Sequence, residues 1–232
     1  MEKYPVRINK YLALKKICSR READFLISQN KVRINGRAVV LGDKVQENDK
    51  VVVENFNKEM IYLAFNKPEG VLTYSPDKKE LDIQKLIGKG KKLFPIGRLD
   101  KDSSGLIILT NDGRITDRVL NPKYDHDKEY IVHVNQGITA DFIKKMSGGV
   151  GIDDGYFTKP CVAKKIGKNI FSIILTEGKK RQIRRMCGAL GYGVVKLERI
   201  RILNIKINGL KPGEFRNIKG EELEEFLRFA LG

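Results

Sequence analysis

The stretch SGLIILT, residues 104–110, constrains the fold more than any other part of the chain. A continuous apolar run of strand length, bounded by turn-forming residues, reads as a buried strand. Lys101, Asp102, Ser103, Ser104 and Gly105 form a polar turn leading into its apolar residues, and Asn111-Asp112-Gly113 the turn after it. More strand patterns surround it. The segment IYLAFNKPEGVLTYS reads as a strand, a Lys-Pro-Glu-Gly turn and a second strand, and EYIVHV and NIFSIILTEG read as further strands. Helical patterns occur singly between them: RITDRVL, TADFIKKM with Thr139 as N-cap, RQIRRMCGALG, and the closing EELEEFLRFAL. Strands with interspersed single helices predict an α+β fold on a mixed, mainly antiparallel sheet over residues 59–232.

The first 58 residues read as a separate compact unit. RINKYLALKK places Ile8, Tyr11 and Leu12 at helical spacing. Ser19 opens a second helix as N-cap, with Glu22 three residues on in capping-box register and Ala23, Leu26 and Ile27 facing inward. Asn35-Gly36 then marks a tight hairpin, and DKVQENDKVVVE supplies further strand. The polar stretch ENFNKE reads as a short linker.

Charge narrows the partner. Lys and Arg number 45 against 29 Asp and Glu, a net +16, which favours a polyanion and, among polyanions, nucleic acid. The surplus is spread along the chain: residues 1–58 hold 13 basic and 7 acidic side chains, leaving ten of the sixteen surplus charges beyond them. Lys15, Lys16, Arg20 and Arg21 cluster where the first two helices meet, an arrangement suited to a phosphate, although a solvated helix end would look the same. No apolar stretch reaches the roughly 18 residues of a membrane span, and the N-terminus lacks the apolar core of a secretory signal, so the expected location is the cytoplasm.

Several chemistries are disfavoured. Cys18, Cys161 and Cys187 are odd in number and far apart, which argues against a disulfide framework or a zinc site. His126 and His133 are too few for a histidine-rich metal site, and neither has a serine in a nucleophile elbow. GKGKK at 88–92 lacks the spacing of a phosphate-binding Walker loop. Carboxylates remain, and Asp100 in GRLDKDSSG is the candidate, with Asp102 better suited to capping the turn. In RQIRRMCGALG, Ile183, Met186, Cys187 and Leu190 form one apolar face. At about 100° per residue Arg184 lies on its margin, where it can reach a cleft and pair with Asp100, while Arg181 and Arg185 point away.

Four blocks taken together, NKPEGVLTYS, FPIGRLDKDSSGLIILTNDG, DHDKEYIVHV and EGKKRQIRRMCGALGY, resemble in order and spacing those of RNA pseudouridine synthases of the small-subunit/large-subunit ribosomal class. GRLDKDS, DHDKEY and KLERIRILN are most similar to the F-type large-subunit branch of that class, and residues 1–58 resemble its S4-type RNA-binding domain. The resemblance implies isomerisation of uridine in ribosomal RNA, that of the large subunit first, by a monomer using no cofactor and no metal. It implies that Asp100 is the carboxylate acting at the ribose, that Tyr130 stacks on the flipped base, and that Arg184 pairs with Asp100. Expected RNA contacts are Lys15, Lys16, Arg20 and Arg21 in the small domain, and Arg98, Lys101, Lys179, Lys180 and Arg181 around the candidate cleft. Read on periodicity alone, Tyr130 would be a core residue at the start of a strand.

Overall fold

The structure, a computed structural model, describes residues 4–54, 59–75, 80–88, 93–152 and 155–231. The expected boundary at residue 58, the middle of the expected linker and most of the Gly-Lys run at 88–92 lie outside the described residues.

The N-terminal unit runs β1 (Val6–Arg7), α1 (Ile8–Leu14), α2 (Arg20–Ser28), β2 (Val32–Ile34), β3 (Arg37–Ala38), β4 (Lys44–Val45) and β5 (Val51–Val53). Ser19 Oγ accepts the Glu22 N–H and so satisfies one free donor at the start of α2. Ile8 and Leu12 of α1 meet Ala23, Leu26 and Ile27 of α2 in one buried cluster with Val32 and Val39. Each such aliphatic side chain contributes roughly 1.5–3 kcal/mol by leaving water. Asn35 and Gly36 both take positive φ, 52° and 83°, the primed turn that the twist of β2 and β3 requires.

The larger unit contains β6 (Tyr62–Lys67), α3 (Ile83–Ile87), β7 (Phe94–Ile96), β8 (Ser104–Thr110), α4 (Thr116–Leu120), β9 (Lys128–Val134), α5 (Ala140–Gly148), β10 (Val162–Lys165), β11 (Ile170–Leu175), α6 (Gln182–Ala189), β12 (Val194–Ile202), β13 (Ile205–Lys206), β14 (Phe215–Asn217) and α7 (Glu221–Leu231). The main sheet runs β10-β11-β9-β12-β8-β6-β14, with β13 on β12 and β7 on β8. Among the described residues, every pairing in this sheet is antiparallel except β12 with β8. The α+β class and the mixed, mainly antiparallel sheet are therefore as the sequence implies.

Helices cover both faces, so β8 is buried throughout and apolar across its centre. Leu106 and Ile108 enter a core completed by α4 and α7, and Ile107 and Leu109 enter one on the opposite face with Ile83, Leu93 and Leu99. A third cluster, built on β9, β11 and β12, is covered by α5 and α6. The second strand expected in VLTYS does not form, and Leu72 makes only an isolated bridge to Asp82. Thr73 uses its hydroxyl instead, accepting from Leu99 N and donating to Leu99 O. That side chain takes the place of a ladder partner. Among the described residues no helix is long and apolar enough to cross a membrane.

The small unit rests on the turn that follows β8. Arg114 Nη1 donates to Lys16 O at 3.2 Å, and Lys16 Nζ donates to Leu231 O. Gly113 lies so close to Ser19 that an added Cβ would come within 2.6 Å of the serine Cβ. Asp112, 1 % exposed, holds Arg114 by two bonds of 2.8 Å and accepts a third from the Tyr62 hydroxyl. Burial alone would raise the Asp112 pKa, but hydrogen bonds from Arg114 and Tyr62 outweigh it and hold the carboxyl below its ordinary value. A carboxyl whose pKa falls on folding contributes fully above its unfolded value of about 3.9 and loses that contribution as pH drops through the folded one. Urea unfolding should show Asp112→Asn roughly 2 kcal/mol less stable than the parent at neutral pH, with the gap narrowing below about pH 4.

Candidate active site

The turn carrying Asp100 is held by hydrogen bonds on both sides. Thr73 grips Leu99 at 2.8 and 3.0 Å, Gly70 N donates to Lys101 O at 2.8 Å, and Ser103 N closes the turn on Asp100 O at 3.1 Å. Arg184 Nη2 donates to Asp102 O at 2.6 Å and also reaches Ser103 Oγ, while Nη1 reaches Val194 O. A carboxylate on such a turn is preorganised, which is what positioning a reactive group demands. Its side chain lines a cleft of about 1010 Å³, together with Tyr130, Lys128, Arg181 and Arg199.

The expected pairing of Arg184 with Asp100 is not what the structure contains. The Arg184 side chain, 12 % exposed, lies beneath the turn with Nε 3.3 Å from Asp102 Oδ2, and it is not part of the cleft wall. Arg181 carries the ion pairing: Nη1 and Nη2 bond Asp102 at 3.1 and 2.9 Å, and Nη1 stands 3.7 Å from Asp100 Oδ2. The helical-wheel reading sent Arg181 away because it assumed helical geometry. Arg181 is the N-cap of α6 with a left-handed backbone, φ 52° and ψ 31°, and that turns its side chain back over the cleft.

Asp102 is thus an anchor more than a turn cap. Hydrogen bonds from Arg181, followed by the charge of Arg184, hold its pKa below the ordinary aspartate value. Both of its oxygens are engaged by the guanidinium, whereas Asp100 keeps a nearby cation without a tight bond. Asp100 is the carboxylate of this turn that faces the cleft without a tight ion pair.

Strand register builds the floor of the cleft. Lys67 on β6 stands opposite Gly105 on β8, Gly105 opposite Arg199 on β12, and Arg199 opposite Tyr130 on β9. Direct cross-strand partners point to the same face, so these positions form one row across the sheet, and Lys128, two residues before Tyr130, shares that face. Gly105 is obligatory there: at φ 107°, a Cβ would lie 2.3 Å from Arg199 O and 2.6 Å from Arg199 N. Tyr130 packs against two apolar clusters at once, the one under α5 and α6 and the one around Leu99. Its ring therefore sits where the two cores meet at the cleft.

Two lysines near this row titrate abnormally. Burial pushes Lys67 down to about 8, opposed by the carboxylates of Glu69, Asp100 and Asp102. Burial also brings Lys128 to about 8, helped by the charge of Arg199. Lys67 is completely buried and donates to Pro68 O and Val71 O, holding the Lys-Pro-Glu-Gly turn. Lys128 donates to His126 O. Neither lysine nor Arg199 was singled out from sequence, although Lys128 and Tyr130 share a strand face by simple alternation, and Arg199 interrupts the inward row that Leu197 begins.

The remaining rim is basic. Glu177, buried, accepts from Gln182 Nε2, the Tyr156 hydroxyl and Lys159 N, and so fixes the loop bearing Lys179, Lys180 and Arg181. Arg98, Lys101, Lys179 and Lys180 line the cleft, with Lys101 paired to Glu80 at 3.0 Å and Lys179 over the Tyr156 ring. Arg181 lines it too but is committed to the two aspartates. Lys15, Lys16, Arg20 and Arg21 are exposed on the small unit at the α1–α2 junction, although Lys16 also reaches Leu231. Cys187 is buried, and burial pushes its thiol up to about 12, leaving it no nucleophile. Among the described residues no group of His, Cys, Asp and Glu side chains is arranged to hold a metal ion.

Comparison with known proteins is consistent along the chain. Residues 61–189 match the model of the RNA pseudouridylate synthase family, and residues 6–51 match that of the S4 domain. The dual-specificity RNA pseudouridine synthase RluF of Escherichia coli (strain K12) is 43 % identical over 96 % of this chain and 79 % of its own length. The ribosomal large subunit pseudouridine synthase B of Bacillus subtilis (strain 168) is 33 % identical over 97 % of this chain and 96 % of its own. A pseudouridylate synthase crystal structure superimposes with a TM-score of 0.72 at 28 % identity, covering 95 % of this chain and 99 % of that one. The chain belongs to the RNA pseudouridylate synthase family, an RNA pseudouridine synthase with an S4 domain ahead of its catalytic domain.

Proposed function

We propose that this enzyme converts a specific uridine of large-subunit ribosomal RNA to pseudouridine, flipping the base into the cleft so that Asp100 acts on its ribose. The observation that carries the reading is the convergence of Asp100, Tyr130 and a basic rim on one cleft, in a chain whose relatives include an enzyme named for the ribosomal large subunit.

The reaction breaks the N1–C1′ bond, turns the uracil and rejoins it through C5, so it needs neither an electron carrier nor a group donor. A carboxylate serves in one of two ways, as nucleophile at C1′ or as base at C2′. Both require the charged form, and Arg181 at 3.7 Å supplies a cation beside it. Tyr130 offers the face on which the extruded base stacks, returning roughly 1–3 kcal/mol of the cost of unstacking it. Arg184 acts on Asp100 indirectly, by fixing the turn at Asp102 and Ser103. Arg20 and Arg21, with Lys15 and Lys16, hold RNA phosphates from the small domain, and the protein works as a monomer in the cytoplasm. The dual specificity in the name of the E. coli relative is the reason to assay small-subunit and transfer RNA as well.

Asp100→Asn should lower tritium release from C5-labelled ribosomal RNA by at least roughly 10²-fold while leaving RNA affinity nearly intact. An affinity loss as large as the activity loss would instead favour a non-catalytic RNA-binding assembly factor. Replacing Arg20 and Arg21 together by Ala should weaken RNA binding and reduce the slope of log affinity against log salt by roughly 1–2. An unchanged slope, measured by filter binding, would remove both from the interface.

A further inference from the structure

Arg199 is 3 % exposed, and its Nε donates to Leu106 O at 2.7 Å. Its Nη2 is buried and has no hydrogen-bond partner. A buried guanidinium nitrogen without an acceptor is costly, and in a cleft wall it marks the place of an absent one. Lys128 lines the same cleft beside it, with a single backbone acceptor for its three donors. No carboxylate among the described residues forms a salt bridge with either cation, although Asp127 lies near enough to act on Lys128 through space. Register puts Arg199 directly opposite Tyr130 and Lys128 two residues away on the same face. Two adjacent cations thus meet the edge of whatever stacks on Tyr130.

The geometry points to Lys128 and Arg199 as the site that binds the uracil anion released when the glycosidic bond breaks. This rests on the function proposed above. In either route the N1–C1′ electron pair leaves with N1. If Asp100 attacks, a C1′–O bond forms as N1–C1′ breaks. If Asp100 takes the C2′ proton, the C2′–H electron pair becomes the C1′–C2′ double bond. Both routes begin with charge on Asp100 and end with it on the base, spread over N1, O2 and O4. Arg181 faces the charge where it starts, and Lys128 with Arg199 faces it where it arrives. The depressed pKa of Lys128 fits a cation waiting for its anion, since an added negative charge would raise it again. An alternative source of the same anionic chemistry is a backbone phosphate of the flipped nucleotide.

The two sources respond differently to the leaving group. Fluorine at C5 stabilises the departing uracil anion by itself, so cleavage then depends less on cations of the protein. Single-turnover cleavage would be followed on RNA carrying uridine or 5-fluorouridine at the target, by chromatographic loss of that nucleoside after digestion, with RNA affinity measured alongside. Lys128→Met should slow the uridine substrate by roughly 10²-fold, slow the 5-fluorouridine substrate distinctly less, and leave affinity unchanged. Arg199→Gln should give the same pattern, and Lys128→Arg should recover part of the loss. Equal losses on the two substrates, or a loss confined to affinity as a phosphate clamp would produce, would overturn the assignment. Absence of wild-type turnover would overturn the proposed function and this inference with it, whereas wild-type turnover with equal losses would overturn this inference alone.

Discussion

The close approach of β8 and β12 at Gly105 is the constraint on which the catalytic domain depends. Among the described residues this is the one parallel pairing in the sheet, and it joins the half built on β6 and β8 to the half built on β9, β11 and β12. Any side chain at Gly105 would collide with the Arg199 backbone. Separating the strands there would shift Arg199 and Tyr130 away from the turn that carries Asp100. Tyr130 belongs to one half of the sheet and the turn carrying Asp100 to the other, so a backbone contact of van der Waals closeness sets their relation. Preorganisation within about half an ångström, which catalysis of this kind needs, follows from an absent side chain.

Electrostatics divides the work between two neighbouring aspartates. Asp102 gives its oxygens to Arg181 and its carbonyl to Arg184, and so becomes a fixed part of the wall. Asp100 shares Arg181 only at longer range. The arrangement leaves one carboxylate without a tight bond while tying up the other. Because both sit on one turn, an arginine that serves the first also orients the second.

Much of this was legible in the sequence where the governing interaction is local. The Ser19 and Thr139 caps bond three residues ahead, and the Asn35-Gly36 turn depends on its own two backbones. The SGLIILT strand was legible as well, since a run that is apolar on both faces leaves few alternatives. Misreadings arose where a distant partner decided the outcome. Val71 to Ser75 looked like a strand, yet Thr73 bonds Leu99, 26 residues away. The helical wheel failed at Arg181 because its left-handed backbone answers to Asp102, 79 residues back. Arg199 was missed for a related reason: it reads as one more basic residue until strand register places it opposite Tyr130.

The seat of the small domain has a metric consequence. Gly113 and Arg114, which touch Ser19 and Lys16, follow the C-terminal end of β8, and the Asp100 turn precedes its N-terminal end. Seven residues of extended chain make β8 a rod of roughly 20 Å between the basic helix junction of the small domain and the turn that carries Asp100. The rod is buried on both faces and paired along its edges with β6, β7 and β12. On the function proposed above, the strand acts as a caliper: a uridine would be reached only where the folded RNA holds it at the matching separation from phosphates bound at the other end.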